Sequence, residues 1–249
     1  MDLKHSTIWT SHRGYCENAV ENTLASFDQA KKLGFYSFET DLRMTKDHHI
    51  VLSHDMSFVR LGGPPTPISE LTRKQIESIS LHYNCKPLFW DEFVDRYAGF
   101  SWTFDIKPES AHLIINYLKT WTEEKNTSDW LTANARFLFW NQSHEIVFKS
   151  YFPKAICLAQ EFECWRAGIS ALLNIKATSG IRHSRTYSIT PKLTCFNTVT
   201  VSTLKPRIVD FYHSQGARLL AFLPKDTDEA KAALRLKFDE ILTDGKILI

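Results

Sequence analysis

The chain is predicted to be an α/β protein, a single (β/α)8 TIM barrel with a short insertion between the second and third strands. Three observations carry this expectation. The length of 249 residues suits one barrel of this kind, for which about 250 residues is typical. Short apolar runs alternate with segments of helical spacing, the pattern of a parallel sheet. Charged side chains gather where those runs end, which is where barrels and open α/β sheets keep their chemistry. One domain is therefore expected over residues 1–249, with residues 55–100 as a compact insertion or cap region.

The first strand is expected over residues 6–11, with His12-Arg13-Gly14 at its tip. Gly14 permits the sharp exit that such a tip needs. A helix opens at Asn22-Thr23, both good caps, carries Leu24, Phe27 and Ala30 on one face and ends at Gly34. Residues 35–41 then form the second strand and complete a β-α-β unit. A turn over residues 45–49, in which His48 and His49 are read as solvated, leads into the short apolar strand Ile50-Val51-Leu52. That strand delivers Ser53-His54-Asp55 beside the second strand.

Gly62-Gly63-Pro64-Pro65 and Pro67 break the pattern, before a capped helix near Thr72 and another around residues 90–97. Residues 101–108 form the third barrel strand, and a helix over 111–121 precedes a polar loop to Asn134. Strands four and five are placed at 136–140 and 155–159, bracketing a helix over 143–151. A helix is expected at 167–173, a polar loop at 180–191 and strand six at 194–201. A helix over 206–213, strand seven at 218–223, a helix over 228–236 and strand eight at 238–245 close the barrel.

Residues 11–55 concentrate the chemistry. Glu39 and Asp41 stand two apart, so on a strand both carboxylates leave the same face. Like charges held that close need a cation between them. An all-oxygen set without thiolate suits magnesium, calcium or manganese; the alternative is a salt-bridged pair on a solvated strand end. His12 and His54, each at a strand tip, form an acid and base pair around a phosphate that Arg13 can grip bidentately. Asp105 and Lys107 repeat the same-face spacing on the third strand, with a local ion pair as the plainer reading. Glu21, just before a helix, is by itself explained as an N-terminal charge favoured by the helix dipole.

The net charge of +2, without a dense basic stripe, argues against a nucleic-acid partner. The first five residues lack the apolar run of a signal peptide, and no stretch approaches the roughly eighteen apolar residues of a transmembrane helix. Five scattered cysteines without a Cys-x-x-Cys pair fit a reduced, cytoplasmic protein. Cys16 follows Arg13 but has no evident base partner and is read as a spectator. Most of the aromatic side chains should be core, while Phe58, Phe89 and Trp90 are candidates to line a substrate or lipid groove.

His12-Arg13-Gly14, then Glu21-Asn22-Thr23-Leu24 with Phe27 and Ala30 at helical spacing, then Glu39-Thr40-Asp41, Thr45-Lys46-Asp47 and His54-Asp55, together resemble the glycerophosphodiester phosphodiesterase family. The likeness is dense over this segment and weaker toward the C-terminus. It implies metal-dependent hydrolysis of a small-molecule glycerophosphodiester to glycerol 3-phosphate and an alcohol, with His12 and His54 as general acid and base. Glu39, Asp41 and Asp105 would hold one divalent cation, Mg2+ or Ca2+, while Arg13 and Lys107 bind the phosphate. Glu21 takes a secondary place, as a further ligand or an orienting group. The chain departs from the family where many members carry Glu in place of Asp105, and where Phe222-Leu223 replaces a usual Trp-Thr pair. Two alternatives stand beside this reading: lysophospholipase D or sphingomyelinase D-like activity on a lipid, and a phosphodiester-binding module without turnover. A transient membrane contact has no support in the sequence.

Overall fold

The computed structural model describes residues 6–195 and 199–245. The chain divides into two compact units: Ser11–Ile156, and a second made of Met1–Thr10 with Cys157–Ile249.

The unit Ser11–Ile156 receives the end of β1 (Ile8–His12) and continues through α1 (Leu24–Lys32), β2 (Ser37–Met44) and β3 (Ile50–Leu52). Next come α2 (Arg73–Glu77), α3 (Trp90–Tyr97), β4 (Ser101–Ile106), α4 (Ala111–Lys125), α5 (Ser128–Asn134), β5 (Ala135–Phe139), α6 (Gln142–Tyr151) and the start of β6 (Ile156–Cys157). Its strands lie in the order β6-β5-β4-β2-β1, with β3 antiparallel on the end of β2. β2 and β4 are parallel in a register that sets Asp41 opposite Asp105. Every residue of β2 is buried, so its charged positions are enclosed with its apolar ones.

Thr23 caps α1 through a capping box with Ser26, as the Asn22-Thr23 signal predicts. Phe27 on the buried face of α1 meets Phe38, Phe93, Tyr97 and Trp102 edge-on, with ring centroids 5.7 to 6.1 Å apart. The aromatic weight of the sequence is thus spent on packing helix against sheet. Phe58, Phe89 and Trp90 are buried in the same way and line no open groove, because each side chain faces inward under its loop or helix. The expected polar loop before Asn134 is also corrected. α4 runs on to Lys125, stops at Asn126 in the left-handed region, and α5 follows. Buried Leu131, and the Trp130 indole donating to the Ala98 carbonyl at 3.1 Å, anchor that extra helix.

The second unit holds the start of β1, then α7 (Glu161–Leu173), β7 (Thr186–Ile189), β8 (Lys192–Cys195), β9 (Val199–Ser202), α8 (Pro206–His213), β10 (Arg218–Phe222), α9 (Thr227–Arg235) and β11 (Glu240–Thr243). Its strands lie in the order β1-β11-β10-β7, with β10 parallel to both neighbours. Two expectations change here. Residues 180–191, read as a polar loop, contain β7, whose alternation of buried Tyr187 and Ile189 with Ser188 is too short to register in a polar context. The single strand expected at 194–201 is an antiparallel pair, β8 on β9, with Thr194 opposite Thr200; residues 196–198 lie outside the described residues. The core of this unit gathers Tyr187, Phe211, Tyr212, Leu219, Phe238 and Ile241. Among the described residues no helix is long and apolar enough to cross a membrane.

Candidate active site

All the predicted site residues fall in the unit Ser11–Ile156. The two-residue spacing on β2 and the β2/β4 register bring Glu39, Asp41 and Asp105 together. One carboxylate oxygen from each lies within 4.8 Å of the others, and all three residues are buried. Lys107, two residues past Asp105, places Nζ 2.7 Å from Asp41 Oδ1 and 2.6 Å from Asp105 Oδ2. The local ion pair therefore exists, and it extends across to the neighbouring strand.

The tip of β1 adds the second cation. Arg13 sets Nε 3.0 Å from Asp41 Oδ2 and Nη1 3.2 Å from Glu21 Oε1. Its backbone is left-handed, φ 57°, and is held by its N–H donating to the Glu39 carbonyl at 3.0 Å and by its own carbonyl accepting from Asn22 N–H at 2.9 Å. Gly14 follows at φ +88°, where a Cβ would stand 2.5 Å from Ser26 Oγ and 2.6 Å from the Ser26 carbonyl carbon. Only glycine lets α1 approach the strand tip this closely. Asn22 donates from Nδ2 to Asp41 Oδ2 at 3.0 Å and accepts from Thr40 Oγ1 at 2.7 Å, which fixes its amide orientation.

His12 lies with Nε2 3.8 Å from Glu39 Oε2. His54 is tied through Nδ1 to Asp55 Oδ1 at 2.7 Å, and its carbonyl accepts from Arg43 Nε at 3.1 Å. Arg43 also pairs with Glu109. Asp55 Oδ2 accepts from Arg60 Nε at 2.6 Å, and Arg60 reaches Glu21 with its other two nitrogens. Trp140, at the end of β5, donates to Asp105 Oδ1 at 2.7 Å, and Lys107 Nζ stands 5.6 Å from its ring centroid.

Burial and neighbours drive the three acids apart. Burial first, then the charge of Asp41, pushes the Glu39 carboxyl well above the ordinary carboxylate value. Burial also raises Asp105, with Asp41 adding to it against Lys107. Asp41 goes the other way: burial would raise it, but Lys107 and Arg13 outweigh that and hold it low. Lys107 is itself raised, since Asp41 and Asp105 overcome its desolvation. Glu39 Oε2 is buried with no hydrogen-bond partner among the described residues. An all-oxygen trio of this kind could hold a hard cation, which would satisfy that oxygen.

Sequence reasoning missed four of these groups. Asn22, a cap and part of the motif in the sequence, has no site role there, although it grips Asp41. Arg43 was signalled, standing two residues past Asp41 on the same face. Trp140 carries no local signal, because Asp105 lies 35 residues away, and the Arg60–Glu21 bond spans 39 residues, although Asp55 stands only five residues before Arg60.

An α/β protein with three converging acids, two cations and a histidine at each of two strand tips has the parts of a phosphate-ester site. Across residues 12–246 the chain matches the profile of the Glycerophosphoryl diester phosphodiesterase family, and it belongs to that family. Among solved structures it is similar to the glycerophosphoryl diester phosphodiesterase domain of a Mycobacterium tuberculosis protein, with TM-score 0.78 and 14% identity over 96% of each chain. It is also similar to the glycerophosphodiester phosphodiesterase of Agrobacterium tumefaciens, with TM-score 0.73 and 15% identity over 96% of each chain. This likeness gives the fold, the expected (β/α)8 TIM barrel. Curated relatives match locally. A glycerophosphodiester phosphodiesterase of Caldanaerobacter subterraneus is 34% identical over 73 residues, 29% of this chain and 30% of that protein. The human lysophospholipase D GDPD1 is 43% identical over 61 residues, 24% of this chain and 19% of that protein. The chain thus spans less than a third of the length of these relatives.

Proposed function

We propose that the chain is a metal-dependent phosphodiesterase that cleaves a glycerophosphodiester to glycerol 3-phosphate and an alcohol. The observation that carries this reading is the meeting of Glu39, Asp41 and Asp105 within 4.8 Å beside Arg13 and Lys107, in a member of this family. The three acids would hold one Mg2+ or Ca2+, and the unsatisfied Glu39 Oε2 fits that role. Bound there, the cation supplies neutralisation of charge on a phosphate oxygen. Arg13 and Lys107 stabilise the charge that grows on the phosphoryl oxygens. Of His12 and His54, one takes the proton of the nucleophile and the other protonates the leaving alkoxide. Glu21 holds Arg13 in place. A cytoplasmic setting goes with this reading, as the scattered cysteines of the sequence suggest.

General acid-base catalysis contributes about 10^2- to 10^4-fold. His12→Ala and His54→Ala should each lower kcat on glycerophosphocholine by at least about 100-fold with the fold intact by circular dichroism. EDTA should abolish turnover and Mg2+ or Ca2+ restore it. Near-wild-type rates in either variant would sink the assignment. The local 43% identity to a lysophospholipase D favours a lipid diester as the second reading. A higher kcat/KM on lysophosphatidylcholine than on glycerophosphocholine would select it.

A further inference from the structure

Arg60 stands on the short turn Val59–Leu61, in the stretch between β3 and β4. Its guanidinium is bidentate to Glu21, with Nη1 to Oε2 at 3.0 Å and Nη2 to Oε1 at 2.7 Å, while Nε donates to Asp55 Oδ2 at 2.6 Å. Glu21 also accepts from Arg13, and the other oxygen of Asp55 is bound to His54 Nδ1 at 2.7 Å. Five side chains thus form one line of contacts: Arg13, Glu21, Arg60, Asp55, His54. Its two ends are the phosphate-binding arginine and one of the two histidines.

The line fits the chemistry of each member. A guanidinium offers N–H donors in a rigid planar fork, so one side chain can grip one carboxylate bidentately and a second from Nε at angles its own plane fixes, whereas an ammonium acts as a point charge with rotatable donors. Arg60 is about half exposed, its side chain at 48%, and a single ion pair in that setting holds little. Three directed hydrogen bonds to two acids, each anchored elsewhere, hold much better. Partial burial raises Asp55, but hydrogen bonds from Arg60 and His54 outweigh it and keep the carboxyl ionised. A carboxylate only accepts, so its bond to Nδ1 requires the proton on that nitrogen. In the neutral ring Nε2 is then the open acceptor.

We propose that Arg60 is a positioning residue: by clamping Asp55 against Glu21 it holds the neutral His54 ring in its Nδ1–H tautomer, which makes Nε2 the nitrogen that exchanges the catalytic proton. This inference rests on the phosphodiesterase reading above. The plainer role for Arg60 is a staple that ties its turn to the loop before α1, and the two roles predict different measurements.

Arg60→Ala should lower kcat by about 10- to 100-fold, the range seen when a supporting hydrogen-bond partner of a site is lost, with KM changed by less than about threefold. Arg60→Lys, which can reach one acid but not both, should fall between wild type and alanine. Asp55→Asn combined with Arg60→Ala should cost no more than Asp55→Asn alone, because both act through the same imidazole. Millimolar guanidinium should restore part of the alanine variant's kcat. Independently of turnover, nitrogen NMR of the His54 ring, assigned by difference from His54→Gln, should show Nδ1–H in the wild type and a tautomer mixture in Arg60→Ala. An unchanged tautomer, a wild-type kcat, or losses that multiply in the double variant would overturn the proposal. If the wild type cleaves no diester, the phosphodiesterase reading fails, while the ring spectrum still decides whether Arg60 sets the tautomer.

Discussion

Glu39 is the residue at which stability and function pull hardest against each other. Burial and the charge of Asp41 raise its carboxyl well above the ordinary 4.5, so the folded state binds that proton more tightly than the unfolded chain. Below the unfolded value the proton is on in both states and the group is neutral to folding; as pH rises from there toward the folded value, ionisation favours the unfolded chain. Glu39→Gln, which mimics the protonated acid, should therefore raise Tm in EDTA at pH 8, and the gain should vanish near pH 4. The same variant should lose most of the stabilisation that added Mg2+ gives the wild type. A lower Tm for the glutamine chain at pH 8 in EDTA would show that ionised Glu39 supports the fold. The acids at this scale were legible because period two on a strand is unambiguous: Glu39 and Asp41 on one strand, Asp105 and Lys107 on the next. Trp140 and the Arg60–Glu21 pair were not, since those partners lie 35 and 39 residues apart in the chain.

The approach of α1 to the tip of β1 is set by Gly14 among the elements. Gly14→Ala would place a methyl 2.5 Å from Ser26 Oγ and 2.6 Å from backbone that cannot swing aside, at a φ of +88°. The left-handed conformation alone costs a non-glycine residue about 1–2 kcal/mol, so the urea midpoint should fall by more than that implies, and turnover should fall with it as Arg13 shifts. Unchanged stability would mean that the helix yields at no cost. Elements with strong local signals were read closely: α8 begins with Pro206 and ends at His213 as expected, because proline at the first helical position is a clean start. β7 was missed because four residues with polar flanks carry too little pattern. β-branched residues run through both arms of the β8/β9 pair, so the sequence there looks like one strand.

For the whole molecule, length and the repeated strand-helix alternation were enough to give the barrel, since they report on the number of layers rather than on any one contact. The acid limit of stability belongs to this scale. Asp28 is pushed up by partial burial, but hydrogen bonds from Arg96 and Tyr97 outweigh this and hold it below 3.8, and Asp41 and Asp55 are lowered from the same value. Groups lowered in this way lend stability that is complete above the unfolded value and is lost as pH falls through the folded ones. The protein should accordingly resist acid to about pH 4 and unfold below it, with Asp28→Asn shifting the acid midpoint upward. Circular dichroism against pH reads both; an acid midpoint unmoved by Asp28→Asn would remove that acid from the account.

The indole of Trp140 has an optical consequence. Of seven tryptophans, Trp90 and Trp102 are sealed in the interior, whereas Trp140 is 50% exposed while bonded to Asp105 and capped by the Lys107 ammonium. Its emission should respond whenever a cation or an ester rearranges those two charges. Trp140→Phe should silence that response, leaving an unlabelled titration that watches the site fill and empty before any bond is cut.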